Sequence, residues 1–352
     1  RGDSPEELKA FNVHDGTGVT MLLREELIVG ALTGRQSAAN EIRCRELHMR
    51  FLEQRCWNKR ETLERIAASF GCTLEECLFL GDDVIDADAI RHAGIGIVNI
   101  EEGCLDNCTY CSTHLVKGVL HSASPESIIR RVQRKVETGA KEIFLTGQDT
   151  SCYGFDLKTN LAELLQRVII HVPGDYKIRL GMGNPRHALR YLGDLLDTFE
   201  DEHLYKFVHI PVQSGSDKIL KAMNRRHTHA EYLQIAEAFK DRFPDITLGT
   251  DIIVAFPGET RADFEESVRL IKETRPSICN ITRFVPREGT PAFALKNGVL
   301  KEERYARSAE LSKVFQQIAL ENNRSFIGKE ERVTVEKAGQ RSGTTIARDD
   351  AY

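Results

Sequence analysis

From residue 97 to about residue 290 the chain repeats one pattern: a short apolar run, a polar or glycine-bearing loop, then an amphipathic stretch at helical spacing. Candidate strands are Ile97 to Ile100, Glu142 to Thr146, Tyr176 to Leu180, Leu204 to Ile210, Ile246 to Val254 and Ile278 to Phe284. Helical patterns lie between them at Pro125 to Thr138, Leu161 to His171, His187 to Phe199, His229 to Arg242 and Ala262 to Thr274. Strands separated by helices pair in parallel, so the fold class is α/β, a parallel sheet curling toward a barrel, with ligand loops at the carboxyl ends of its strands. A further helix is expected over Lys301 to Asn323. After it, Glu331 to Glu336 alternates as a strand does and opens a small β-rich module.

Residues 1 to 96 carry a separate α/β pattern. It comprises an amphipathic stretch Gly18 to Arg24, a strand Leu27 to Leu32, helices Ala38 to Leu47 and Lys59 to Phe70, and a strand Cys77 to Leu80. Turns fall at Thr33-Gly34-Arg35, Gly71 and Gly81-Asp82-Asp83, where α/β folds place ligand loops. The net charge of -5 belongs almost wholly to the first hundred residues. It excludes a strong global basic field, though not local basic patches. No stretch approaches the roughly 18 apolar residues of a membrane span, and the first twenty residues lack a secretory apolar run. A cytoplasmic protein without a membrane partner is expected. The chain starts without Met and stops at Tyr352 with no element visibly completed, as a piece of a longer product would.

Nine cysteines, an odd number, argue against a disulfide framework. Six are scattered. Cys104, Cys108 and Cys111 stand together at CxxxCxxC spacing just after the first barrel strand. A zinc site would ask for a fourth ligand, for which His114 is the nearest candidate. A [4Fe-4S] cubane held by three thiolates leaves one iron open to chelation. Three structural cysteines are the remaining reading.

At these residues the sequence resembles the radical S-adenosylmethionine superfamily. The resemblance implies that Cys104, Cys108 and Cys111 bind a [4Fe-4S] cluster whose open iron takes the amino and carboxylate groups of S-adenosylmethionine. It makes Tyr110 the aromatic residue before the last cysteine. Electron transfer from a reductant protein would then cleave the sulfonium to a 5′-deoxyadenosyl radical. Further stretches narrow the family: Leu145-Thr146-Gly147-Gln148-Asp149-Thr150, KIRLGMGNP (177–185), HIPVQSGSD (209–217) with Met223-Asn224-Arg225, TDIIVAFPGET (250–260) and RFVPREGTPA (283–292). Together they are similar to the methylthiotransferases, and most to the archaeal and eukaryotic enzymes acting on N6-threonylcarbamoyladenosine beside the tRNA anticodon.

That resemblance implies a radical SAM partial (β/α)6 barrel over 97–323. It implies a truncated TRAM-like RNA-binding β module over 324–352, and the tRNA anticodon loop as partner. The runner-up substrates are isopentenyl-adenosine in tRNA and a ribosomal-protein aspartate. On the residues themselves, Gly147 lets backbone approach a ligand, and Gln148 and Asp149 suit its amino group or ribose. Gln213 and Ser214 offer a polar turn, and Arg179 suits a carboxylate or phosphate. Two departures stand out: Ala255 where the family has Gly, and Glu288 where it has Pro. The family's amino-terminal second-cluster domain is not recognisable, because Cys44, Cys56, Cys72 and Cys77 lie in different elements at other spacings. The sulfur donor is therefore unassigned.

FNVHDGTG (11–18), ALTGRQS (31–37), Lys59 and FLGDDVIDADAIRHAGIGI (79–97) resemble haloacid-dehalogenase (HAD) phosphatases of the 3-deoxy-D-manno-octulosonate 8-phosphate type. The resemblance implies that Thr33 holds phosphate, Lys59 neutralises charge, and Asp82 with Asp83 or Asp86 binds Mg²⁺. The family's nucleophilic DxD strand is not found. A HAD-like fragment over 1–96 without turnover is expected, with a Mg²⁺-dependent phosphatase and a non-catalytic fusion as the alternatives from another class.

Overall fold

The computed structural model describes residues 19, 20, 22–24, 27–34, 36–74, 77, 95–296, 298–330, 333–338 and 345–351. The chain divides into two units, residues 1–94 and 95–352, each taken by itself below.

In the first unit β1 (Gly30–Leu32) pairs in parallel with β2 (Phe51–Glu53), and each strand leads into a helix, α1 (Ala38–Glu46) and α2 (Lys59–Ser69). The strand Phe51–Glu53 is absent from the sequence reading because three residues between two polar stretches carry no period. Thr33 leaves β1 with its N–H on Glu53 O (2.9 Å), while its own carbonyl accepts from Cys56 N (2.9 Å). Asn58 caps α2 by accepting from Glu61 N, which sets the buried Lys59 at the first helical position. The strand expected at Cys77 to Leu80 and the residues Asp82, Asp83 and Asp86 lie outside the described residues, apart from Cys77.

The second unit is built on β3 (Ile95–Asn99), β6 (Glu142–Thr146), β7 (Lys177–Leu180), β8 (Phe207–His209), β9 (Thr247–Val254) and β10 (Ile278–Arg283). All ladders among them in the described residues are parallel and run in chain order. The two three-stranded ladders meet where Tyr205 N donates to Ile178 O (3.1 Å) and Gly183 N to His209 O (2.9 Å). The six strands thus form one curved sheet, a partial barrel in which no ladder joins β3 to β10 among the described residues. The minor ladder β4 (Glu101–Glu102) with β5 (His121–Ser122) closes the base of the first loop.

Side-chain alternation sorts the sheet into two faces. Val98, Ile143, Leu145, Ile178, Leu180, Val208, Leu248, Ile252 and Val254 share one buried core with residues of the crossover helices. These helices include α4 (Pro125–Glu137), α5 (Leu161–His171), α9 (His229–Arg242) and α10 (Arg261–Thr274). Their starts follow from side-chain caps: Ser124, Asn160, Thr228 and Thr260 each accept a backbone N–H of the first turn. The intervening residues Phe144, Arg179, Phe207, His209, Gly249, Asp251 and Asn280 therefore face the concave side. The single helix expected over His187 to Phe199 is in fact α6 (Pro185–Ala188), a 3₁₀ turn, and α7 (Leu192–Thr198). The break falls at Tyr191, whose φ of -141° leaves the helical region and whose hydroxyl donates to Ser151 O (2.7 Å).

The concave side is closed at the amino-terminal end of the strands. Glu142, the first residue of β6, accepts from Tyr205 Oη (2.7 Å) and from Arg348 (2.9 Å). Lys177, the first of β7, pairs with Asp350 (2.8 Å), and Lys206 N donates to Asp350 O (2.7 Å). Arg348 belongs to β12 (Thr345–Asp349), which pairs antiparallel with β11 (Val333–Ala338) across a bulge. The long helix α11 (Lys301–Arg324) covers β9 and β10 and delivers the buried Arg307 to Glu259 (2.8 Å).

Ala255 sits at φ 60°, fully buried, with its N–H on Glu259 Oε2 (2.6 Å). The left-handed region costs a residue with a Cβ roughly 1 kcal/mol, only partly offset by the smaller unfolded-state entropy of Ala. Ala255→Gly should therefore stabilise the fold by about 0.5 kcal/mol and raise the calorimetric midpoint by ~1–2 °C. A lower midpoint would show that the buried methyl outweighs the backbone strain.

Candidate functional site

The three clustered cysteines lie on the loop between β4 and β5, at the carboxyl end of the sheet. Gly103 begins the loop at φ 79°, and a Cβ there would stand 2.1 Å from Val119 O, so only glycine lets the two sides of the loop meet. The far side of the loop is fastened to segments that follow β8 and β10. Thr109 N donates to Met223 O (2.9 Å), Thr109 Oγ1 to Ala222 O (3.0 Å), and Ala292 N to Thr109 O (2.8 Å). Asn224 Nδ2 donates to Asn107 O (2.7 Å). Tyr110 packs edge-on to Phe256, which packs in turn on Phe284 (centroids 6.5 and 5.1 Å).

Each thiol has a donor aimed at its sulfur: Asp106 N at Cys104 (3.3 Å), Thr113 N at Cys111 (3.4 Å) and the Arg225 guanidinium at Cys108 (3.8 Å). Burial, with Asp149 adding its negative charge, pushes the Cys104 thiol up to about 12. Burial also raises Cys108, with Arg225 working against it. Cys104 and Cys108, met by N–H donors yet raised by burial, fit ligands that become thiolates when a metal centre is bound.

Beside the loop the end of β6 builds a polar basin. A Cβ on Gly147 would stand 2.0 Å from Glu101 Oε1, so glycine here makes room for the Glu101 carboxylate, which accepts from Asp149 N (3.0 Å). Asp149 Oδ1 accepts from Ser151 N, Ser151 Oγ and Asn184 N. The buried Asp106, between the first two cysteines, accepts from Asn184 Nδ2, from Arg186 (2.8 Å) and from His187 Nε2 (3.1 Å). Asp106, Asp149 and His187 bring ligand atoms within 4.8 Å of one another, but Arg186 and Asn184 already balance Asp106. Several buried atoms keep no partner: Glu101 Oε2, Gln148 Oε1, Asp149 Oδ2, Arg225 Nε and both ring nitrogens of His227. Each such atom costs on the order of 1–3 kcal/mol, so this concentration marks where a polar ligand would complete the set.

The structure gathers Tyr110, Gly147, Gln148 and Asp149 close to the cysteine loop or the adjoining β6 end. Gln213 lies where the chain leaves β8, bridged to Ile252 at φ 76°. Ser214, expected in a polar turn, is fully buried; its hydroxyl accepts from Ser216 N (3.2 Å) and lies 3.5 Å from Ser267 Oγ of α10. The neighbouring Gly215 N donates to that Ser267 oxygen, which draws the turn onto the helix and makes Ser214 a latch. Arg179, read as suited to a carboxylate or phosphate, has its guanidinium 5.3 Å from the Phe144 ring and 4.5 Å from the Phe207 ring. Glu101, Asp106, Asn184, His187 and Arg225 join the site without having been expected there, although Asp106 stands inside the cysteine motif and Asn184 and Arg225 inside the family-like stretches 177–185 and 223–225.

The Radical SAM superfamily model matches residues 98–271, which places the second unit in that class. The probable threonylcarbamoyladenosine tRNA methylthiotransferase of Archaeoglobus fulgidus is 45% identical over 265 residues, 75% of this chain and 62% of that one. Its counterpart from Methanothermobacter thermautotrophicus is 36% identical over 287 residues, 81% and 67%. The human threonylcarbamoyladenosine tRNA methylthiotransferase is 36% identical over 274 residues, 78% and 47%. The chain belongs to the family of these radical SAM methylthiotransferases. It spans about half to two thirds of the length of these relatives.

Glu101 gives the site a pH signature. Burial raises its carboxyl to about 7, the Asp149 N–H working against burial and the Asp149 charge adding to it. A folded value above the unfolded 4.5 means that the stability it contributes is full below about pH 4.5 and is lost as pH rises to 7. Glu101→Gln keeps the acceptor and removes the charge. Its thermal midpoint relative to the wild type should therefore climb between pH 4.5 and 7, by an amount of order 2–3 kcal/mol in stability. A difference flat across that window would show that the carboxyl titrates normally.

Proposed function

We propose that the second unit is the radical core of an enzyme that places a methylthio group on C2 of N6-threonylcarbamoyladenosine beside the tRNA anticodon. The observation that carries this reading is the cysteine loop itself, three thiols each met by an N–H donor and fastened over the carboxyl end of a parallel partial barrel. The names of the relatives point to the same substrate. Cys104, Cys108 and Cys111 would hold a [4Fe-4S] cluster. Gly147, Gln148, Asp149 and Gln213, with Tyr110 behind the loop, would receive S-adenosylmethionine. The unpartnered Gln148 Oε1 and Asp149 Oδ2 are acceptors suited to its ammonium or ribose hydroxyls.

Cluster and S-adenosylmethionine, when bound, supply the one-electron chemistry that an inert aromatic C–H bond requires. This chain's residues orient the reactants and keep water away. The Tyr110–Phe256–Phe284 stack seals the loop on one side, and the Arg225 guanidinium places positive charge beside Cys108. The tRNA anticodon loop, a reductant protein and a sulfur donor are the partners this reading calls for, in the cytoplasm. No helix among the described residues is long and apolar enough to cross a membrane.

For the first unit, the HAD-like reading rests on Thr33, which is tied through Cys56 to the turn that leads into Lys59. A phosphate held there, with Mg²⁺ at Asp82, Asp83 or Asp86, is the ligand class it implies, and a remnant without turnover is the form proposed.

Anaerobic reconstitution tests the main reading. About four irons per chain and formation of 5′-deoxyadenosine on adding reductant and S-adenosylmethionine are expected, both lost in Cys108→Ala. A wild-type chain that takes up no iron under the same conditions would sink it.

A further inference from the structure

Below the cysteine loop the concave face carries a row of three polar side chains that the cofactor assignment leaves unused. His209 Nε2 lies 2.8 Å from Asp251 Oδ1, and Asn280 Nδ2 lies 2.8 Å from the same oxygen. The three residues come from adjacent strands β8, β9 and β10, with Asn280 directly opposite Asp251 in register. Gly249, opposite His209, makes room for the imidazole: a Cβ there would stand 3.3 Å from the ring. The row sits just beneath Gln213, whose N–H donates to Asp251 O (2.8 Å), and above the layer of Phe144, Arg179 and Phe207.

The hydrogen-bond logic of the row fixes its chemistry. An ionised carboxylate only accepts, so both partners of Asp251 must donate to it. With its imidazole neutral, His209 is then the Nε2–H tautomer with Nδ1 as an open acceptor. Asn280 turns its amide nitrogen to Asp251 and keeps Oδ1 open. Neither open atom has a hydrogen-bond partner among the described residues. With Asp251 Oδ2, the wall therefore offers three acceptors against a single remaining N–H of Asn280. Such a wall recognises a ligand edge rich in donors. An adenine whose N6 carries a threonylcarbamoyl group has such an edge, with two urea-type N–H groups and a hydroxyl.

We infer that Asp251 positions His209 and Asn280 so that His209 Nδ1 and Asn280 Oδ1 accept hydrogen bonds from the N6 substituent of the target adenosine. The row would thus read the base and hold it in place beneath the cofactor. The inference rests on the tRNA-base reading above and adds specificity-determining residues to it. It involves no proton transfer, and Asp251 acts only through its two neighbours.

The test uses the reconstituted chain in the presence of S-adenosylmethionine, titrated with two nucleosides followed by saturation-transfer NMR. One is N6-threonylcarbamoyladenosine; the other is N6,N6-dimethyladenosine, which has no N–H at that position. The wild type should prefer the first by about tenfold or more, since a site built to pair a polar group rejects the analogue lacking it. His209→Phe and Asn280→Leu should each cut that preference about five- to tenfold. His209→Gln, whose amide can donate to Asp251 and still accept, should retain most of it. Iron content per chain checks that each variant folds. Wild-type preference surviving intact in His209→Phe and Asn280→Leu would overturn the assignment of the row and leave the substrate reading standing. Loss of S-adenosylmethionine binding in those variants with the nucleoside preference kept would also overturn it, by giving the row to the cofactor. A wild type indifferent to the two nucleosides would remove the substrate reading and this inference together.

Discussion

The placement of the three thiols depends on Thr109. Its N–H, hydroxyl and carbonyl are each spent on a different backbone partner, at Met223, Ala222 and Ala292. A loop of this length, with glycines at both ends and a two-residue ladder at its base, would otherwise pay its closure entropy without a fixed position. Thr109 ties it to the segment after β8 and to the segment after β10, so the cysteines are set by three separate parts of the chain. The hydroxyl matters as much as the backbone. It is why the residue between Cys108 and Tyr110 belongs to the architecture although it touches no thiol.

The same region concentrates what a stable fold normally avoids. Gln213 and Ala255 hold left-handed backbone without being glycine, and six buried polar atoms around Glu101, Gln148, Asp149, Arg225 and His227 have no partner. Burial, followed by the Arg225 charge, drives the His227 imidazole down to about 3, so the ring stays neutral. Strain and unmet hydrogen bonds of this kind persist only when the surroundings over-determine them. Here the surroundings are the large core between sheet and helices and the capped helix starts that hold it. The core bears the cost, and the rim is left incomplete in the way a ligand site is.

How much of this the sequence disclosed depends on the kind of signal. The six barrel strands were legible because their outward faces alternate with their concave ones, and α5 and α9 because each begins at a capping residue. Where a single tertiary bond decides the outcome, the pattern failed. Tyr191 breaks a helix in order to reach Ser151, and Ser214 turns inward because α10 offers Ser267. The cysteine motif was fully readable. The residues that shape its setting were not, because Asp106, Asn184 and His187 converge only through contacts spanning about eighty positions. The depth of Arg179 was not legible, since a strand period tells which face a residue takes and not how far down the barrel it lies.

The two ends of the sheet are also treated differently, and this orders the chemistry along the barrel. At the amino-terminal end the ion pairs of Glu142 with Arg348 and Lys177 with Asp350, joined by the Lys206–Asp350 backbone bond, shut the concave side with charges that are partly exposed. Exposed pairs contribute little to stability individually, so their effect here is to close rather than to strengthen. At the carboxyl end the cysteine loop and the polar basin occupy the rim. The flank between β3 and β10 carries no ladder among the described residues, and Asn280 and Thr282 on β10 are exposed there. A ligand lying over the rim would therefore leave the His209–Asp251–Asn280 wall within reach from the side. A base entering there would meet hydrogen-bond acceptors before it met the Phe144–Arg179–Phe207 layer beneath.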